Sequence, residues 1–123
     1  MPATRVRFTT KFGRTLDAAL AFLVEKDAPR AAARLQESVL LRLPELLRRH
    51  PRMGRDFMLR APGSIEAEAI YQQAASLLGS ITELREYILG DYLVLYAIEG
   101  SDVYLIAIRH HRQNAWLLHE GRR

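Results

Sequence analysis

The chain contains no cysteine, so disulfide bridges and sites built from thiolate ligands are excluded. It also lacks long hydrophobic runs: the two longest, 18–24 and 92–98, fall far short of the roughly 20 residues of a membrane-spanning helix. The first ten residues are too polar for a secretory signal, and no cleavage site follows an apolar segment. We therefore expect a soluble cytoplasmic protein that does not associate with membranes.

Lysine is scarce. It occurs only at Lys11 and Lys26, so 16 of the 18 basic residues are arginine. A GC-rich coding sequence, which favours arginine over lysine, is one explanation of this ratio, and the suitability of arginine for binding carboxylate or phosphate is the other. The positive charge is a separate observation, because 18 basic residues exceed 14 acidic ones and give a net charge of +4. Such a charge indicates an acidic protein partner or nucleic acid, and guanidinium groups pair well with carboxylate or phosphate.

Common enzyme motifs are absent from the sequence. It has no G-x-S-x-G, P-loop, G-x-G-x-x-G or H-E-x-x-H pattern. Zinc is not expected either, because His110 and His111 are adjacent on a predicted strand and their side chains would point to opposite faces. His50 and His119 have no partners at ligand spacing. We therefore expect no metal and no cofactor.

Hydrophobic periodicity predicts both helices and strands. In chain order we expect a strand at 4–9, helices at about 11–26, 29–49 and 64–78, and strands at about 82–89, 92–98 and 103–110. Thr9 or Thr10 is suited to cap the first helix, and Pro29 to begin the second. Pro44 should kink or interrupt that second helix because it lacks a backbone donor. The segment 51–63 has the composition of a basic loop.

This order of elements predicts an α+β fold, with residues 1–123 forming a single domain. The N-terminal strand and an antiparallel helical hairpin would pack on one face of a C-terminal antiparallel sheet and leave the other face partly free. The strand 92–98 is apolar at consecutive positions, so we expect both its faces to be covered, at least in a complex. Residues 114–123 should form a tail that Trp116, Leu117 and Leu118 could anchor.

A cationic cluster, Arg109, His110, His111 and Arg112, follows the last predicted strand. Strand alternation would place Val103, Leu105, Ala107, Arg109 and His111 on one face, and Tyr104, Ile106, Ile108, His110 and Arg112 on the other. Histidine titrates near neutrality and arginine binds phosphate, so the cluster is a candidate for phosphate binding or proton transfer. Arg85, on a neighbouring strand, could converge on it. The alternative interpretation is a solvated strand end with a structural histidine.

Several segments, taken in order, resemble a known family. These segments are His50-Pro51-x-x-Gly54-Arg55, Glu83-Leu84-Arg85-Glu86, the strand Tyr92–Tyr96, the strand Val103–Ile108 and Arg109-His110. Together they are similar to the RelE/ParE toxins of bacterial type II toxin–antitoxin systems, over most of residues 5–113, and particularly to the ParE branch. The segment 62–79 departs from the compact family pattern and looks like an inserted helix.

The resemblance implies a toxin that inhibits growth, serves plasmid stabilisation and is neutralised by an acidic antitoxin. Operator DNA would be bound only through the antitoxin complex. RelE-like members cut mRNA on the ribosome, whereas ParE-like members inhibit DNA gyrase. The ribonuclease branch usually has an arginine where this chain has Leu93, which favours a ParE-like protein that is not an enzyme.

The resemblance also implies candidate site residues. Target-binding candidates are Arg85, Arg109, His110, His111 and Arg112, and antitoxin-binding candidates are Arg48, Arg49 and Arg85. In the alternative function, a RelE-like ribosome-dependent mRNA endonuclease, Arg85, Arg109 and Arg112 would hold phosphate and His111 would be the general acid. A third hypothesis, a nucleic-acid-binding module without toxicity, depends only on the net charge.

Overall fold

The computed structural model describes residues 4–60, 65–81 and 83–112. The strands are β1 (Arg5–Phe8), β2 (Arg55–Asp56), β3 (Glu83–Leu89), β4 (Tyr92–Glu99) and β5 (Asp102–His110). The helices are α1 (Thr10–Glu25), α2 (Pro29–Glu37), α3 (Leu43–Arg49), α4 (Phe57–Arg60) and α5 (Ile65–Leu78), with a π-helical turn at Ser38–Arg42 between α2 and α3. The predicted α+β class is confirmed. The predicted tail 114–123 and His119 lie outside the described residues.

The five strands form one sheet in the order β1-β5-β4-β3-β2. Strand β1 is parallel to β5, and the other neighbouring pairs are antiparallel. The prediction of an irregular loop over 51–63 is wrong in part, because β2 and α4 lie within it. The Asp56 carboxylate accepts hydrogen bonds from the N–H groups of Met58 (3.0 Å) and Leu59 (3.3 Å), and so caps the first turn of α4.

The helical hairpin begins and turns where the sequence predicts. The Thr9 hydroxyl caps α1 by accepting a hydrogen bond from the N–H of Phe12 at 3.0 Å. Pro29 is the first residue of α2, where its missing N–H costs no helical hydrogen bond. Contacts between α1 and α2 confirm that the two helices pack as a hairpin.

The second predicted helix is interrupted near Pro44, as expected, and the interruption is a π-helical turn. Pro44 cannot donate a hydrogen bond, and in a regular helix its ring would clash with the carbonyl of Leu40. In the π turn the N–H of Leu43 instead bonds the carbonyl of Ser38, five residues earlier. Val39, Leu43 and Leu47 are four residues apart and all buried. Four residues exceed one turn of an α-helix, so the wider π turn is needed to keep the three side chains on one side of the helix.

The sheet is covered on both faces. The first core lies between the helical hairpin and the sheet and consists of Phe12, Leu16, Leu35, Val39, Leu43, Leu47, Val94, Tyr96, Ile98, Val103, Leu105 and Ile108. The second core lies on the opposite face and consists of Phe57, Ala67, Ile70, Ala74, Leu84, Leu95, Ala97, Ile106 and Ala107. The second face is free only in part, at Ile88, which is 57% exposed, because the inserted helix α5 covers the face at Leu95 and Ile106. The expectation that both faces of β4 are covered is confirmed.

Within residues 4–60, 65–81 and 83–112, no helix is both long enough and apolar enough to cross a membrane.

Candidate functional site

A β-bulge in β5 determines which face each residue near the cationic cluster occupies. Adjacent residues of β4 pair with Ala107 and Leu105, so Ile106 is an extra residue in β5. Beyond the bulge the alternation is reversed. Ile108 packs with Leu105 in the first core, whereas Ala107 packs in the second. The predicted grouping of Ala107 with Leu105, and of Ile108 with Ile106, is therefore wrong.

The two histidines of the cluster stack on each other, although they are adjacent in the chain. Their ring centroids are 4.5 Å apart and their planes meet at 28°. The expectation that their side chains point to opposite faces is wrong, because β5 ends at His110 and the strand alternation ends with it. The His110 ring also packs edge-to-face against Tyr92 at 5.3 Å. Both rings therefore lie on the side of the helical hairpin, against which Tyr92 packs.

Hydrogen bonds define which nitrogen of each ring carries a proton. The N–H of Arg112 donates to Nδ1 of His110 at 3.1 Å, so that nitrogen is an acceptor and is unprotonated in this geometry. The carbonyl of Asp91 accepts the backbone N–H of His111 at 2.9 Å. Nδ1 of His111 lies 3.0 Å from the same oxygen, which can only accept, so Nδ1 carries the proton. The cluster thus presents exposed guanidinium and imidazole donors at a fixed strand end.

Arg109 is held partly within the cluster. Its Nη1 atom donates to the carbonyl of His110 at 3.4 Å, and its side chain is half-buried. Arg112, two residues after the end of β5, is exposed. The chain therefore brings together four of the five predicted target-binding residues.

Arg85 does not join the other four. Across the sheet it pairs with Tyr96, whereas Arg109 pairs with Leu93. Tyr96 and Leu93 are three residues apart on β4, a separation of about 10 Å along the strand. The predicted convergence of Arg85 with the cluster is therefore wrong.

Arg85 is instead part of an ion-pair network at the other end of β3. Its Nε atom donates to Glu83 at 2.7 Å, and its Nη1 atom donates to the carbonyls of Gly54 and Arg52. Arg52 Nε also donates to Glu83, at 2.6 Å. Burial raises the pKa of Glu83, but the hydrogen bonds from Arg85 and Arg52 outweigh it and hold that pKa below its ordinary value. Arg85 therefore fixes the loop after α3 rather than presenting a free cation.

The His50-Pro51-x-x-Gly54-Arg55 motif is explained by a buried tyrosine. The Tyr96 hydroxyl donates to the carbonyl of Pro51 at 2.7 Å and accepts from the N–H of Gly54 at 2.9 Å. Burial raises the pKa of this hydroxyl, so it remains protonated and able to donate. A Cβ atom on Gly54 would lie 2.9 Å from the carbonyl of Glu86 and from the Tyr96 ring. We call this group, formed by Pro51, Gly54 and Tyr96, the tyrosine latch.

Arg55, the last residue of the motif, pairs with a buried carboxylate next to the tyrosine latch. Glu86 is 1% exposed and accepts hydrogen bonds from Arg55 Nη2 at 2.8 Å and Nε at 3.1 Å. A buried charge needs a partner, and Arg55 supplies one to Glu86. The spacing of the motif alone did not predict the contact of Gly54 with Tyr96 or the pairing of Arg55 with Glu86.

The predicted antitoxin-binding arginines of α3 lie on an exposed surface. Arg48 and Arg49 are 52% and 65% exposed, and both lie near Glu45, at 3.8 Å and 2.8 Å. Such exposed pairs contribute little to stability, so both side chains can rearrange to bind a partner. Leu41, on the preceding π turn, is 67% exposed.

A cavity lies beside the cationic cluster, between α1 and the ends of β4 and β5. Its volume is about 560 Å³, and Arg109, His110 and Arg112 contribute to its lining. A smaller cavity of about 350 Å³ adjoins it, and Phe22, Tyr92 and His110 line both. No group of three potential metal ligands occurs among the described residues.

Comparisons with known proteins agree with this fold. Residues 6–115 match the sequence model of a family described as ParE toxin of type II toxin-antitoxin system, parDE. A solved chain of the chromosomal ParDE TA system from P. aeruginosa is similar with a TM-score of 0.58 and 14% identity, and the match covers 88% of this chain and 96% of that chain. At that identity the similarity concerns the fold alone. No curated protein matched the sequence.

Proposed function

Because this chain belongs to the ParE toxin family of type II toxin–antitoxin systems, we propose that it inhibits growth by binding DNA gyrase and is neutralised by a cognate antitoxin. The main observation that favours gyrase over mRNA as the target is that apolar cores cover both faces of the sheet. A sheet covered in this way leaves little of either face open to RNA.

Two of the groups that RNA cleavage would need are absent or engaged elsewhere. Leu93 is half-buried against the second core and cannot stabilise the charge that develops on a cleaved phosphate. Arg85 is bonded to Glu83 and to the carbonyl of Gly54. These observations support a binding function for this toxin rather than a catalytic one.

The proposed gyrase-binding surface is the exposed end of β5, formed by Arg109, His110, His111 and Arg112. The strand is anchored by the sheet, and the turn after it is fixed by the contacts of His111 with Asp91. Charge-assisted hydrogen bonds from arginine are among the stronger polar contacts, so an acidic patch on the target is the expected complement.

Binding to purified gyrase tests this proposal. We expect saturable binding of the antitoxin-free chain and a loss of about tenfold or more for Arg112→Ala, because one charged hydrogen bond contributes roughly 1.5–3 kcal/mol. Arg30→Ala removes the same charge from an exposed position on α2 and serves as the control. Absence of gyrase binding, or an equal loss in both variants, would contradict the proposal.

A second candidate function is the ribosome-dependent mRNA endonuclease. The observation in its favour is the stacking of two histidines beside Arg109 and Arg112, which provides a potential general acid next to phosphate-binding cations. A translating extract tests it directly. Cleavage of mRNA in the ribosomal A site, abolished by His111→Ala, would establish this function, and intact mRNA would exclude it.

The antitoxin is proposed to bind the outer surface of the hairpin. Exposed apolar side chains occur on the π turn and on α3, at Leu40, Leu41 and Leu46, close in sequence to Arg48 and Arg49. An acidic amphipathic segment could bury the leucines and pair with the arginines. Arg85 is not part of this proposed surface, because its side chain is only 16% exposed and bonds Glu83.

A further inference from the structure

The larger cavity, between α1 and the ends of β4 and β5, combines an apolar wall with a basic end. Ala18, Ala19 and Phe22 of α1 contribute to the wall, and Tyr92 and Ile108 contribute from the sheet. Phe22 is 54% exposed, a large fraction for an aromatic side chain beside a core. The volume of about 560 Å³ lies within the range of pockets that enclose small ligands, roughly 300–1,000 Å³. The cavity can therefore accept an aromatic ring system.

The ionisable side chains at the basic end favour an anion. Arg109, His110 and Arg112 contribute to the lining, and among the described residues no aspartate or glutamate does. Asp91 lines only the smaller, adjoining cavity. Arg109 is half-buried, and its attraction for an anion is stronger than it would be in water because the local dielectric constant is lower. A ligand of this cavity is therefore expected to carry a negative charge at the end of β5.

Contacts within the chain hold the basic end in place. Arg109 Nη1 donates to the carbonyl of His110 at 3.4 Å, and the His110 ring packs edge-to-face against Tyr92 at 5.3 Å. Nδ1 of His110 accepts the N–H of Arg112, so the neutral ring carries its proton on Nε2. Groups that are already ordered lose little side-chain entropy when a ligand binds. The arrangement is therefore suited to a small anion as well as to a large partner.

The apolar wall favours one class of anion over another. The Thr15 hydroxyl, which lies in the lining, already donates to the carbonyl of Phe12 and accepts the N–H of Ile108, each at 3.0 Å. A nucleobase would bury its polar edges against Ala18 and Ala19, whose side chains cannot form hydrogen bonds, and this costs free energy. A hydrocarbon ring has no such groups to bury. The wall therefore favours an apolar ring with one anionic group over a nucleotide.

We infer that this cavity is a binding site for a small aromatic carboxylate. The ring would pack against Ala18 and Phe22, and the carboxylate would bind Arg109 and Arg112 through charge-assisted hydrogen bonds. Asp91 of the adjoining cavity would repel a carboxylate bound in the opposite direction. This inference does not depend on which macromolecule the cationic cluster binds.

The probe for the experiment is 2-naphthoate, which consists of one apolar ring system and one carboxylate. The purified full chain is labelled with ¹⁵N, and the shifts of its amide signals are followed during the titration. Two comparison compounds separate the contributions of ring and charge. The neutral 2-naphthamide has the same ring without the charge, and AMP has an anionic group on a polar base and sugar.

We expect saturable shifts of the amide signals of Ala18, Phe22 and Tyr92 with 2-naphthoate. The neutral amide should bind roughly tenfold more weakly or worse, because it loses a hydrogen bond between charged groups. AMP should also bind more weakly than 2-naphthoate, because the apolar wall cannot satisfy its polar edges.

Two pairs of variants locate the site. Ala18→Glu adds a carboxylate to the cavity wall and should abolish binding, whereas Ala21→Glu makes the same change at an exposed position of α1 outside both cavities and should leave binding unchanged. Arg112→Ala should weaken binding of 2-naphthoate roughly tenfold and leave binding of the amide unchanged. Arg30→Ala is the control for lost charge, and this second pair decides the question if Ala18→Glu fails to fold.

Several results would overturn the inference. Without saturable shifts at Ala18, Phe22 and Tyr92, the cavity does not bind an aromatic carboxylate. Equal binding of 2-naphthoate and its amide would show that the basic end does not recognise the charge. Binding of AMP as tight as that of 2-naphthoate would assign the cavity to nucleotides. Equal losses within either pair of variants would place the ligand elsewhere on the chain.

Discussion

Single residues hold the loop after α3 in place. Tyr96 bonds the backbone of Pro51 and Gly54, while Arg85 bonds Glu83 and the carbonyl of Gly54. Both side chains come from the face of the sheet that the helical hairpin covers, so the loop is fixed to the first core. Contacts within the fold therefore explain Pro51, Gly54 and Arg55 of the family-like motif, and the residues proposed to bind the target lie at the other end of the sheet.

Gly54→Ala should destabilise the protein. The new Cβ would lie 2.9 Å from the backbone oxygen of Glu86 and from the Tyr96 hydroxyl, and overpacking of this kind typically costs about 1–3 kcal/mol. Urea unfolding measures the change. Gly13→Ala is the control, because no atom lies within 4 Å of a Cβ built there, and alanine in a helix should stabilise by up to roughly 1 kcal/mol. Equal effects would contradict the close packing of the tyrosine latch.

Glu83 should make stability depend on acid pH. Its pKa is lowered in the folded chain, since hydrogen bonds from Arg85 and Arg52 outweigh the effect of burial. The stabilisation is therefore present at neutral pH and is lost as the pH falls below the ordinary carboxyl value of about 4.3 and through the lowered one. We expect the difference in unfolding free energy between wild type and Glu83→Gln to shrink across that range. A difference that stays constant from pH 7 to pH 3 would refute this role.

At the scale of elements, the helix α5 gives the protein its second core. Its buried residues Ala67, Ile70 and Ala74 pack on the face of the sheet that contains Leu95 and Ile106. Without α5 this face would expose a continuous apolar surface, which soluble proteins rarely do. The inserted segment is therefore a structural layer of this chain.

Ile70→Ala should reveal the contribution of that layer. Ile70 is 5% exposed, and truncating a buried isoleucine typically lowers the free energy of unfolding by about 2–5 kcal/mol. Ile65, on the same helix, is 89% exposed, so Ile65→Ala should change stability by less than about 0.5 kcal/mol. Chemical denaturation compares the two variants. If they lost the same amount, α5 would not pack on the sheet.

The limits of the three long strands could be predicted because turn signals separate them and two of them, β4 and β5, are largely apolar. Gly90 and Gly100 adopt positive φ angles of 61° and 62° there, a conformation that glycine tolerates. The bulge at Ile106 could not be predicted, because one extra residue is visible only when two strands are paired. The stacking of His110 on His111 depends on the residue at which β5 ends. If the strand ended one residue later, the His111 ring would lie on the other face of the sheet.

At the scale of the whole molecule, a net charge of +4 should guide the antitoxin, which we propose is acidic, to the chain. We expect the association rate to fall as salt rises from about 50 to about 500 mM, since the Debye length drops from above to well below about 10 Å. The dissociation rate should change little, because apolar burial supplies most of the binding free energy. Stopped-flow measurements give both rates. An association rate that does not depend on salt would exclude steering by this charge.

Supercoiling of DNA by purified gyrase is the most direct measurement of the proposed function. The antitoxin-free chain is added to gyrase, relaxed DNA and ATP, and the topoisomers are separated on a gel. We predict that supercoiling falls as the chain is added, and that activity returns when the antitoxin is supplied. Undiminished supercoiling in the presence of excess folded chain would contradict the assignment of gyrase as the target.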